Sequence, residues 1–90
     1  MTHELKTLPK YFEAVLIGSK KFEIRKKDRL FKEGDFLKLK EWRASDQEYT
    51  GREVLAVVEF ILEDVPHLGL MPGFCIMSVK VLSTNPVVTQ

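Results

Sequence analysis

Charged and apolar residues alternate along Gly18-Ser19-Lys20-Lys21-Phe22-Glu23-Ile24-Arg25. A period of two predicts a strand, here entered through a turn. Lys21, Glu23 and Arg25 then share one face, and Phe22 and Ile24 share the other. The apolar pair is the face expected to meet the core. Upstream, residues 3–8 read as a first strand with Leu5 in the core. Leu8, Phe12, Val15 and Leu16 recur at helical spacing, with Tyr11 beside them, which predicts an amphipathic helix over residues 9–17. Thr7 is a candidate cap, Pro9 suits a first helical turn, and Gly18 suits a left-handed terminator.

Downstream, residues 26–32 form a charged connection, and Glu33-Gly34-Asp35 is a turn. Residues 36–42 read as a strand with Leu37, Leu39 and Glu41 on one face and Phe36, Lys38, Lys40 and Trp42 on the other. Residues 44–51 suit a polar hairpin loop. The near-continuous apolar run over residues 52–62 predicts a strand that is central or bends around a barrel. Residues 63–73, rich in Pro and Gly, make an irregular connection with room for one helical turn. Residues 74–82 read as the last strand and 83–90 as a loose tail, with Val87 and Val88 as an alternative strand extension. The expectation is a single domain over residues 1–90, mostly β with one or two short helices (α+β). A small, largely antiparallel sheet of this kind is most stable curled into a barrel that removes its edges.

Composition changes little in that picture. The chain has 90 residues, a hydrophobic fraction of 44% and a net charge of +1, as expected of one folded domain with a modest core. The distribution of charge says more. From Lys20 to Lys32 there are seven basic residues and two acidic ones, a local excess of +5. Cys75 is the single cysteine and lies in an apolar run, so it reads as a buried thiol. There is no Cys/His metal spacing, and neither a metal nor another cofactor is expected. No apolar run approaches membrane-spanning length, and the N-terminus lacks the apolar core of a signal peptide. A cytoplasmic protein is expected.

The Lys-Glu-Arg row has two physical readings. It can be a solvated face of alternating charges, worth about 0–1 kcal/mol per pair. Or it can line a polar groove in which Arg25 offers a planar fork to phosphate or a base edge. Lys20 or Lys21 then adds an ammonium, and Glu23 accepts from an exocyclic amine or holds the lysine. Asp28-Arg29 adds a second opposite-charge pair after the row. Trp42 and Tyr49 are candidate stacking groups, and Thr50-Gly51-Arg52 is a candidate phosphate contact. His3 is a candidate titrating group, and His67 has no assigned role.

Gly18-x-Lys20-x-x-Glu23-x-Arg25 resembles the GxKxxExR signature of ASCH domains, in the PUA-like superfamily. The chain is most similar to the small bacterial and phage domains grouped as DUF3850. The likeness runs from His3-x-Leu5-Lys6 through Phe12 and the signature to Asp28-Arg29. It continues through Gly34-Asp35, Glu41 and Tyr49-Thr50-Gly51-Arg52 into the last strand. The resemblance implies a mixed, five- to six-stranded PUA-like β-barrel with a cleft beside the signature strand, and a partner that is RNA or a nucleotide. The expected contacts are Lys20, Lys21, Glu23 and Arg25, supported by Lys6, Arg29 and Arg52. Some small ASCH relatives are amidohydrolases acting on N4-acetylated cytidine, which makes Lys20 and Glu23 the alternative, catalytic pair. Those relatives keep a threonine where this chain has Glu23, and a carboxylate does not replace a hydroxyl nucleophile.

Overall fold

The computed structural model describes residues 1–86. Five strands form one mixed sheet in the order β1-β3-β4-β5-β2. They are β1 (Thr2–Thr7), β2 (Phe22–Lys26), β3 (Phe36–Arg43), β4 (Glu48–Glu63) and β5 (Phe74–Asn85). One helix, α1 (Pro9–Leu16), follows β1, and a short 3-10 turn at Pro66–Leu68 precedes β5. β1 pairs in parallel with β3; every other neighbouring pair is antiparallel.

The apolar periodicity sets the inner face. Leu5 on β1, Leu37 and Leu39 on β3, Val54, Ala56 and Val58 on β4, and Cys75, Met77 and Val79 on β5 are all buried. Phe12 and Val15 of α1 close over them. β4 is central, as its apolar run predicts. Irregularities in its pairing with β5, at Leu55/Ala56 and Val58/Phe60, bend the strand. The second shifts the inward positions, so that Ile61 packs against the core after Val58.

The sheet curls into a half-barrel whose two edge strands, β1 and β2, stay unpaired with each other. Side chains bridge them instead. Arg25 Nη1 donates to the Lys6 carbonyl at 3.0 Å, and Arg29 Nη1 reaches the Glu4 carbonyl at 3.4 Å. The expected removal of edges is thus incomplete.

Three other expectations change. Leu8, without a side-chain cap bond, occupies the helix N-cap in place of Thr7. β5 continues through Ser83, Thr84 and Asn85, paired with Leu55, Val54 and Glu53, so the strand takes in the first part of the expected tail. Val87 and Val88 lie outside the described residues. Finally, β2 is turned over: Glu23 is buried, whereas Phe22 and Ile24 are 43% and 53% exposed. Period two says which residues share a face and leaves open which face points inward. Here the buried carboxylate has cations on both sides, and this makes its inward position tenable.

Candidate functional site

The site forms where the first turn of α1, the turn after its end and the two sheet edges meet. Gly18 adopts φ of 83°, a conformation that a Cβ would strain. The turn is then locked by Ser19 and Lys20, whose backbone N–H groups both donate to the Ala14 carbonyl, at 3.0 and 2.9 Å. This puts Lys20 directly ahead of β2 and over its first residues.

Glu23 lies at the centre, its side chain 2% exposed. Lys20 Nζ donates to Glu23 Oε2 at 2.5 Å and to the Phe22 carbonyl at 2.6 Å. Arg25 donates to the other oxygen, Oε1, from Nε at 3.1 Å and Nη2 at 2.9 Å. The same guanidinium crosses to β1, where Nη2 donates to Thr7 Oγ1 at 3.2 Å and Nη1 to the Lys6 carbonyl. Lys20 has three donors and Arg25 five. These bonds leave one N–H of each without a partner among the described residues. The expected free fork of Arg25 is therefore engaged by Glu23 and β1. Two cations and one carboxylate leave a local surplus of one positive charge.

This cluster floors a cleft of about 540 Å³. Lys6 and Thr7 of β1, Leu8 and Tyr11 at the start of α1, Lys20, and Phe22 to Arg25 of β2 line it. Lys20 Nζ stands 5.1 Å from the Phe22 ring centroid and 6.0 Å from that of Tyr11. Such a volume suits a small ligand, with apolar walls and a few convergent polar groups.

The structure brings Lys20, Glu23 and Arg25 together and disperses the other expected contacts. Lys21 is exposed and lines a neighbouring groove beside Val79 and Lys80. Lys6 turns its ammonium to the outer face, 4.0 Å from the Trp42 ring centroid, and leaves its main chain at the cleft. Arg29 pairs loosely with Asp28 at 3.7 Å and lies outside the cleft lining. Trp42 and Tyr49 meet each other edge to face at 4.8 Å.

Arg52 also lies outside the cleft lining. A register shift between Lys40 and Trp42, opposite Gly51 at φ of 94°, sets Thr50, Arg52 and Glu41 together. Arg52 donates to Glu41 Oε1 from Nε and to Oε2 from Nη2, both at 2.8 Å, and Thr50 Oγ1 donates to Oε1 at 2.6 Å. Burial pushes the Glu41 carboxyl up, but the Arg52 and Thr50 bonds outweigh it and hold the group below its ordinary value. Thr50-Gly51-Arg52 is a structural clamp on Glu41, and Arg52 lies outside the lining of the cleft.

His3 belongs to a third cluster. Its Nε2 lies 2.8 Å from Asp35 Oδ2, and the Lys32 N–H donates to the same oxygen at 3.1 Å. The His3 bond, aided by the α-amino group and Lys32, holds the Asp35 carboxyl down to about 2. Residues that sequence reasoning passed over at the cleft are Thr7, Leu8 and Tyr11.

Residues 2–79 match the family described as Domain of unknown function (DUF3850). The chain belongs to that family. The DUF3850 match spans the cleft residues and ends inside β5. A similar protein is the "Uncharacterized 12.9 kDa protein in GpA 3'region" of Escherichia phage P2, 50% identical over 54 residues. The alignment covers 60% of this chain and 48% of that protein, so the chain spans about half the length of the curated relative it matches. No helix among the described residues is long and apolar enough to cross a membrane. No group of three or more His, Cys, Asp or Glu side chains suited to a metal lies among the described residues.

Proposed function

We propose that this DUF3850 protein is an RNA- or nucleotide-binding module of the PUA-like ASCH type, and that the cleft between β1 and β2 takes a nucleobase. The observation that carries this reading is the pairing of apolar walls with a floor of surplus positive charge. Leu8, Tyr11, Phe22 and Ile24 supply the walls, and Lys20 and Arg25 each keep one unengaged N–H. A base offers a π-face to the rings and ring or exocyclic acceptors to the two cations. Stacking of one base on an aromatic ring is worth about 1–3 kcal/mol. Exposed Lys21 and Lys26 stand nearby for the phosphates. The helix–signature-strand order and the curled sheet support the ASCH likeness.

The hydrolase alternative needs Glu23 to reach a water as general base. Both Glu23 oxygens already accept from cations, an arrangement that favours binding. The test is titration of the 15N-labelled chain at low salt with the four nucleoside 5'-monophosphates and short single-stranded RNAs. Shifts are expected at Tyr11, Lys20 and residues 22–25. If no amide over residues 20–29 moves with any of these, the proposal fails. In a parallel incubation N4-acetylcytidine is expected to survive unhydrolysed.

A further inference from the structure

The strand that carries Glu23 has an open backbone edge, and the ladder shows which residues it belongs to. In antiparallel pairs, residues alternate between exchanging backbone bonds with their partner and turning those groups away. The Val79 N–H donates to the Lys21 carbonyl at 3.1 Å, and the Lys27 N–H donates to the Gly73 carbonyl at 2.8 Å. The register between those two bonds is unbroken. Lys21, Glu23, Arg25 and Lys27 therefore bond toward β5, and Phe22, Ile24 and Lys26 turn N–H and C=O toward the opposite side. The Phe22 carbonyl confirms the direction, since it accepts from Lys20 at the cleft. Across the gap, the Glu4 and Lys6 carbonyls of β1 point the same way and accept from Arg29 and Arg25. Ile24 lines the cleft between these bridges. Its outward N–H and C=O have no partner among the described residues.

We infer that the Ile24 main chain reads the Watson–Crick edge of an unpaired base. This rests on the nucleobase reading of the cleft and goes further, because it names the recognised edge. One donor beside one acceptor on a single residue complements a ligand with an acceptor beside a donor. Each nucleobase has such a pair on the edge that it uses in a duplex: N3–H and O4 of uracil, N4–H and N3 of cytosine, N6–H and N1 of adenine, N1–H and O6 of guanine. A base already paired has no free edge to offer, so the site takes single strands. An open strand edge presents an unpaired N–H and C=O to a partner, and a ligand that satisfies both gains selectivity over one that displaces their water and satisfies neither.

The test uses the full chain, 15N-labelled, with each nucleoside 5'-monophosphate and its edge-blocked analogue. The analogues are N3-methyluridine, N4,N4-dimethylcytidine, N6,N6-dimethyladenosine and N1-methylguanosine monophosphates. At least one parent is expected to bind and to move the Ile24 amide downfield, with its analogue at least tenfold weaker. Equal binding of every parent and analogue, or a silent Ile24 amide while a parent binds, overturns the inference and leaves the cleft reading standing. Failure of all four parents to bind overturns the cleft reading itself. As a second variant, Ile24→Pro removes the N–H at a position where an edge strand tolerates proline. It is expected to reduce parent binding to the level of the blocked analogue, and undiminished binding by the folded variant overturns the inference.

Discussion

Glu23 and Glu41 make the same kind of contact and are put to different use. Each is a carboxylate on the inner face, with side chains 2% and 5% exposed, and each accepts from two nitrogens of one arginine. Around Glu41 the charge balance is reversed, although Arg52 is 38% exposed and leaves its Nη1 unengaged among the described residues. Arg52 divides its charge between Glu41 and Glu13, lies 5.0 Å from the Phe12 ring centroid, and leaves a local balance of one negative charge. Around Glu23 the balance is one positive charge, the second cation is Lys20, and a cleft stands above. Ion-pair geometry alone therefore does not mark a site. A surplus of positive charge and a lined cleft above the pair are what set the Glu23 cluster apart.

Removing Arg52 should break the comparison most strongly. Arg52→Ala leaves Glu41 buried without its cation, and loss of one partner of a buried pair costs roughly 3–5 kcal/mol. Urea unfolding is expected to show that loss, while the fraction still folded binds nucleotide as before. A stability change below about 1 kcal/mol would show that the Glu41 cluster is no clamp.

Lys20→Ala should have the opposite profile. Glu23 keeps its cation and both Arg25 bonds on Oε1 and loses only the Lys20 bond on Oε2, so the stability loss is expected to be smaller than in Arg52→Ala. Loss of a charged donor from the ligand typically weakens binding by about 1.5–3 kcal/mol, or tenfold and more. Calorimetric titration with the best-bound nucleotide measures it. Unchanged affinity would remove Lys20 from the binding reading.

The smallest expected effect is a dependence on pH. The Arg52 bond depresses the Glu41 carboxyl, so its contribution is present above the ordinary glutamate value of 4.5 and is lost as pH falls through the lower folded value. In Arg52→Ala that depression disappears, and protonation relieves the buried charge. The stability gap between the two proteins should thus narrow below about pH 4.5. Asp35, held down to about 2, adds a slope at lower pH that both proteins share. A gap that stays constant from pH 7 to 3 would contradict the assigned cause.

Much of this was legible in the chain. Leu5, the Phe12 and Val15 stripe, and Leu37, Leu39 and Glu41 all lie on the faces their spacing predicts. Spacing puts Glu23 and Arg25 on one face together with Lys21, whereas it is Lys20, from the turn before β2, that reaches Glu23, and Lys21 lines another groove. What spacing withheld depends on distant partners. β2 turns Glu23 inward because Arg25 has acceptors on β1, at Thr7 and Lys6, which only the curl of the sheet brings near. The Arg52–Glu41 pair depends on distance in the same way, although Glu41 on a face with two leucines was a readable request for a cation. Ser83, Thr84 and Asn85 look like tail in composition, and pairing with β4 makes them strand.

The strand order has a consequence for when the cleft can exist. Its lining residues all fall within the first 25 positions of the chain, on β1, α1 and the start of β2. Yet β1 pairs only with β3 and β2 only with β5, so the two lips are joined through every strand made later. On a ribosome, a nascent chain that has emerged only as far as Gly73 holds each of those residues and no template to space them. The two lips of the cleft thus come into register only when β5 docks between β4 and β2.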